Sequence, residues 1–122
     1  MYDSLTGMGK SFAEGLGYPT KEIQKVTEKD LELGCFLVTR SIGFGNIPDS
    51  TLDFLDDYAE DFEIIGVAVT GSLNWGASYG GAGRKIEAIY EIPLVHKFEG
   101  RGYPIDKELV IDYIEVFEQN KE

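Results

Sequence analysis

Three short loops carry the residues whose types and spacing suit binding chemistry. The first, Asp3-Ser4-Leu5-Thr6-Gly7-Met8-Gly9-Lys10, places two hydroxyls and a run of backbone N–H groups just before a helical segment. Such a loop cradles an anion, and the helix dipole assists it. It lacks the Gly-Lys-Ser/Thr ending of a P-loop in register, so it suits a phosphate monoester that is held rather than transferred. An ordinary turn would use the same residues. The second loop, Ser41-Ile42-Gly43-Phe44-Gly45-Asn46-Ile47-Pro48, sets an aromatic between two glycines. Glycine lets the backbone approach a planar ring closely. A peptide free to flip at Gly43–Phe44 would exchange a carbonyl acceptor for an N–H donor; Phe44 reads equally as a core anchor of the turn. The third loop, Thr70-Gly71-Ser72-Leu73-Asn74-Trp75-Gly76-Ala77-Ser78-Tyr79, holds the only tryptophan. Trp75 is either a stacking surface for an aromatic ring, with Asn74 at the polar edge, or a structural residue.

The elements that must position these loops are legible in the hydrophobic pattern. Cys35–Thr39, Ile64–Val69 and Ile92–His96 are short apolar runs, the signature of strands buried on both faces of a parallel sheet. Ile23–Val26 reads as a weaker edge strand and Met1–Asp3 as the tail of a first one. Helical segments alternate with them. Lys10–Leu16 is a short first helix, and a second opens with Pro48 at its first position and carries Leu52, Leu55, Tyr58 and Ala59 on one face. Ser78–Tyr90 places Ile86, Ile89 and Tyr90 on a buried stripe, and Pro104–Glu118 carries Ile105, Leu109, Ile111, Ile114 and Phe117. This alternation predicts an α/β domain with a doubly wound parallel sheet. In such a sheet ligands bind at the carboxyl ends of the strands, which is where all three loops fall. One phosphate cradle and two loops able to sandwich a flat heterocycle describe a site for flavin mononucleotide (FMN).

Composition bounds the rest. The 122 residues fit a single domain spanning 1–122. Twenty-two acids against eleven bases give a net charge of −11, which repels phosphate backbones and argues against a nucleic-acid partner. Asp49, Asp53, Asp56, Asp57, Glu60, Asp61 and Glu63 follow one another with no intervening base. They form a solvated helix face or a docking surface for a basic partner. Apolar runs fall far short of the roughly 20 residues that span a bilayer, and no signal sequence is evident, so a cytoplasmic location without membrane contact is expected. Cys35 is the only cysteine and His96 the only histidine. Neither an internal disulfide nor a metal site is expected, and Cys35 reads as a small apolar core residue. No side chain reads as a general acid or base, so catalytic residues are expected to be absent. Lys97 after the third apolar run invites comparison with a phosphoacceptor receiver domain, but Thr39-Arg40-Ser41 supplies no acceptor carboxylate.

Asp3-Ser4-Leu5-Thr6-Gly7, Gly43-Phe44-Gly45-Asn46-Ile47-Pro48, Asn74-Trp75-Gly76 and Lys97-Phe98-Glu99 together resemble the NrdI family in order and spacing over almost the whole chain. That family is flavodoxin-like, a three-layer α/β/α sandwich, and is associated with class Ib ribonucleotide reductase. The resemblance implies noncovalent FMN, whose reduced form reacts with dioxygen to supply the oxidant for dimanganese-tyrosyl radical assembly in the reductase small subunit. It further implies an electron donor that reduces the flavin, and the role of an accessory activating factor rather than a stand-alone metabolic enzyme. Carried over by position, Ser4, Leu5, Thr6, Gly7 and Met8 hold the phosphate. Gly43, Phe44 and Gly45 line the N5 and O4 edge of the flavin, and Ser41 and Ile42 beside them also bind the cofactor. Asn74, Trp75 and Gly76 flank the ring, Ser72 and Leu73 before them also bind the cofactor, and Tyr79 occupies a family aromatic position nearby. The chain departs from the family pattern at Met8, Ser72, Leu73 and Ala77, where the family usually carries polar or charged side chains. Two other functions remain open: a general flavodoxin-type electron carrier, which usually has longer flavin-side loops, and an FMN-free docking module.

Overall fold

Strands β1 (Cys35–Arg40), β2 (Ile64–Gly71) and β3 (Leu94–Glu99) pair in parallel in the order β1-β2-β3. The structure, a computed structural model, describes residues 8–27, 29, 34–41, 45–71 and 81–120. Met1–Asp3, the expected tail of a first strand, lies outside the described residues. Helices α1 (Met8–Glu14), α2 (Asp49–Tyr58), α3 (Gly81–Tyr90) and α4 (Pro104–Asn120) alternate with the strands. No described helix is long and apolar enough to cross a membrane.

Strand alternation divides the core into two halves. Leu37 of β1 and Val67 and Val69 of β2 face one way, onto Phe54 and Leu55 of α2 and Ala82 and Ile86 of α3. Phe36 and Val38, Ala68 and Phe98 face the other way, onto Phe12 and Ala13 of α1 and Val110 and Ile114 of α4. Burial on both faces is why these strands read as continuous apolar runs. Each large side chain so buried contributes about 1.5–3 kcal/mol. The expected α/β fold with a parallel sheet is therefore present, helices covering both faces.

Several local expectations are corrected. Ile23–Lys25 is a short 3-10 helix rather than an edge strand, and Ile23 and Val26 are both buried. Both join the same half of the core, which one helical turn allows at a spacing of three, whereas a strand would turn them to opposite faces. The third strand runs two residues later than expected, because Pro93 cannot donate to a sheet ladder. Its carbonyl instead accepts from Val67 N–H at 3.0 Å. Pro48 is the N-cap of α2 rather than its first helical residue. On α3 only Ile86 of the proposed stripe is buried; Ile89 is 63% exposed and Tyr90 half-buried. On α4 the buried pair is Val110 and Ile114, while Ile105 and Leu109 face solvent.

The carboxyl ends of all three strands and the amino ends of α2, α3 and α4 share one rim of the sheet. The turn after β3 reaches this rim through Gly102, whose φ of +76° is the left-handed region that glycine tolerates. A Cβ there would also lie 2.8 Å from the ring of Phe12 and 3.2 Å from that of Phe98. Those rings stack with centroids 3.9 Å apart, so the turn seats α1 on β3.

Candidate functional site

On the α2/α3 side of the rim, the loop leaving β1 is tied to the first turns of α3 by three contacts. Ser41 continues the β1–β2 ladder, its N–H donating to Thr70 O at 3.0 Å. Its Oγ accepts the N–H of Ala82 at 3.3 Å, satisfying one of the free amides at the start of α3. Four residues on, Gly45 is buried with φ +87° and packs against Gly81; a Cβ on Gly81 would meet Gly45 Cα at 2.9 Å. Backbone meets backbone there, which a side chain on Gly81 would prevent. Finally Lys85 Nζ donates to Asn46 Oδ1 at 2.8 Å across the surface. The close approach of α3 to the sheet depends on Gly83 as well, where a Cβ would lie 2.5 Å from Leu94 Cδ1 and 2.9 Å from Val69 Cγ2.

Of the residues expected to contact a ligand, Met8, Ser41 and Gly45 are among the described residues. Met8 is the first residue of α1, and Ser41 and Gly45 stand at the rim as described. Ser4, Leu5, Thr6, Gly7, Ile42, Gly43, Phe44, Ser72, Leu73, Asn74, Trp75, Gly76 and Tyr79 lie outside the described residues. The same holds for the Gly43–Phe44 peptide expected to flip. The structure adds Gly81, Ala82, Asn46 and Lys85 as groups that join the start of α3 to the described residues after β1. Asn46 carries a signal as part of the second loop, and Gly81 and Ala82 carry one as part of the glycine-rich stretch 71–83; Lys85 carries none.

On the α1/α4 side, the last side chains of the three strands form a row across the sheet. Arg40 is in register with Thr70, and Thr70 with Phe98. Thr70 Oγ1 donates to Gly100 O at 2.6 Å, and Phe98 is covered by Phe12. The Nε of Arg40 is buried and has no hydrogen-bond partner among the described residues.

Electrostatics beside the rim centre on α4. Asp106 takes His96 Nε2 at 2.6 Å on Oδ1 and the Tyr103 N–H at 2.7 Å on Oδ2. Burial pushes this carboxyl up, but the Tyr103 amide and His96 outweigh it and hold the pKa below the ordinary value. The pair fixes the start of α4 beneath the Gly100–Gly102 turn. At the opposite, amino end of β1, burial pushes the Cys35 thiol up to about 11, so it is uncharged near neutral pH and unsuited to nucleophilic work. The seven acids from Asp49 to Glu63 are all exposed, along α2 and the turn after it.

A parallel sheet between two helix layers, with glycine-bearing loops at its carboxyl rim, defines a flavodoxin-like α/β protein. A solved short-chain flavodoxin associated with a non-canonical PDU bacterial microcompartment has this fold, with a TM-score of 0.77 at 17% identity, covering 99% of this chain and 95% of that one. The chain belongs to the NrdI flavodoxin-like family, whose model matches residues 1–112. Relatives include Protein NrdI of Macrococcus caseolyticus, 37% identical over 119 residues, covering 97% of this chain and 90% of the relative. The SPbeta prophage-derived protein NrdI of Bacillus subtilis is 32% identical over 121 residues, covering 98% and 92%.

Proposed function

We propose that this chain carries FMN at the carboxyl rim and activates class Ib ribonucleotide reductase by docking on its small subunit. When bound and reduced, FMN supplies the electrons that convert dioxygen to the oxidant used in dimanganese-tyrosyl radical assembly. Membership of the NrdI family supports the role, and the joined bases of the two ring-side loops support the cofactor. That joining is the observation that carries the reading: Ser41–Ala82, Gly45–Gly81 and Asn46–Lys85 bring Ser41, Gly45 and Asn46 to the start of α3.

The chain's own residues bind and orient. Bare backbone at Gly45 and Gly81 lets the loops approach a flat ring without side chains intervening. In this reading Ser4, Leu5, Thr6, Gly7 and Met8 hold the phosphate, Ile42 to Gly45 face the ring edge, and Ser72 to Gly76 flank the ring with Trp75 stacked on it. Tyr79 stands beside that loop. The protein positions the cofactor, and the redox chemistry belongs to the cofactor. A flavin-reducing donor and the reductase small subunit are the partners this requires.

The test is a visible absorption spectrum of the purified protein before and after addition of FMN and gel filtration. Retained flavin bands are expected. The FMN-loaded, reduced protein is then expected to support tyrosyl radical formation, read by electron paramagnetic resonance, in a manganese-loaded small subunit exposed to air. A colourless protein after gel filtration contradicts the cofactor assignment. Flavin retention without radical formation contradicts the partner assignment and favours a general electron carrier.

A further inference from the structure

Arg40 is the only base between Lys29 and Arg84, and it closes β1 at the carboxyl rim. Alternation from Phe36 and Val38 places it on the sheet face that carries α1 and α4. Its neighbours along the row are complete: the Thr70 hydroxyl is bonded to Gly100 O, and the Phe98 ring is stacked on Phe12. Arg40 is the exception. Its Nε is buried without a partner among the described residues. In a chain with 22 acids, no carboxylate of the described residues takes it.

An arginine stays charged at any physiological pH, and a buried donor left unpaired is costly. Such a group is retained at a rim when an acceptor arrives from outside the fold. The acceptor that suits a guanidinium fork is an oxyanion able to take parallel N–H bonds, above all a phosphate. The stitched ring-side contacts lie on the opposite face of the sheet, with Ser41 and Ala82, so Arg40 addresses the other end of an elongated ligand.

We propose that Arg40 is a cofactor-binding residue whose guanidinium pairs with the phosphate monoester of FMN; this rests on the reading of the chain as an FMN carrier. It supplies positive charge to a dianion that a chain of net charge −11 otherwise repels. The residue is therefore a determinant of FMN over riboflavin, which has the same ring and no phosphate.

Wild type, Arg40→Gln and Arg40→Lys are titrated with FMN and with riboflavin by flavin fluorescence quenching, at low and high salt. Arg40→Gln is expected to weaken FMN about 10- to 100-fold, the scale of one lost charge-assisted contact, and to leave riboflavin unchanged. Arg40→Lys, which keeps the charge and loses the fork, is expected to fall between. The salt dependence of FMN binding is expected to shrink in Arg40→Gln. Thermal unfolding without flavin separates this role from a structural one: Arg40→Gln is expected to melt no lower than wild type, because it removes a donor that has no partner. Equal losses for both flavins, no loss for either, or a lowered melting point of the flavin-free variant overturns the proposal while the FMN reading stands. Failure of the wild type to bind FMN overturns both.

Discussion

The two sides of the rim are built differently. On the α2/α3 side the protein completes its own contacts: Ser41 accepts from Ala82, Gly45 lies on Gly81, and Asn46 holds Lys85. One layer below, Thr39 and Thr51 pair their buried hydroxyls at 2.7 Å. On the α1/α4 side the row ends in Arg40, whose buried Nε has no partner among the described residues. Adjacent residues of one strand, Thr39 and Arg40, thus differ in whether the fold satisfies them. The first side is pre-organised by backbone and small residues, which suits a flat ring. The second leaves a buried guanidinium N–H without an acceptor, which suits an arriving anion.

The comparison can be broken most severely at Gly81. Gly81→Ala forces a Cβ to 2.9 Å from the Gly45 backbone, which cannot swing away as a side-chain end would. Overpacking of this kind costs about 1–3 kcal/mol, more than the helix-propensity gain of under about 1 kcal/mol. A lowered urea midpoint and weaker FMN binding are expected together. Wild-type values for both would show that the loops do not need this contact.

Asp106 sharpens the contrast on the other side, where the fold relies on charge. Its native carboxyl lies below the ordinary value of 3.8, so its contribution to stability is fully present above that value. It is lost as the pH falls through the lower native pKa. Asp106→Ala, which leaves His96 and the Tyr103 N–H without their acceptor, is expected to cost about 1–2 kcal/mol at neutral pH. The variant's stability should also fall less steeply with acid than that of wild type. Identical acid dependence in urea melts of the two proteins would contradict this assignment.

Smaller effects follow at the remaining ties. Ser41→Ala removes one acceptor from the start of α3 and is expected to cost about 0.5–1 kcal/mol, read as a small drop in thermal midpoint. Lys85→Ala breaks an exposed contact to Asn46 and is expected to change stability by less than about 0.5 kcal/mol. A larger loss at Lys85 than at Ser41 would reverse the order of importance drawn here.

How much of this was legible in the sequence follows from the physics of each element. β1 and β2 were plain because burial on both faces writes an unbroken apolar run, as in Cys35–Thr39 and Ile64–Val69. Ile23–Val26 is too short for its period to be read, and its spacing of three proves to be that of one helical turn. Ile89 reads as buried from its hydrophobicity alone, yet it is exposed, as much of the surface of any fold is apolar. Of the site, the loops were visible through their glycines and Trp75. Gly81 was hidden among neighbouring glycines, since which one meets another backbone is a tertiary fact. Arg40 was noticed only as the absence of an acceptor carboxylate. Its role depends on strand parity and on a missing partner, and neither is written in local spacing.

The central claim is that FMN sits at the carboxyl rim. Amide shift mapping of the isotope-labelled protein during FMN addition tests it most directly. The largest perturbations are expected at Arg40, Ser41, Gly45, Gly71 and Ala82, with little change at the amino edge of the sheet. Perturbations centred instead on Leu55, Ala59 and Tyr90, in the open groove between the far ends of α2 and α3, would contradict it.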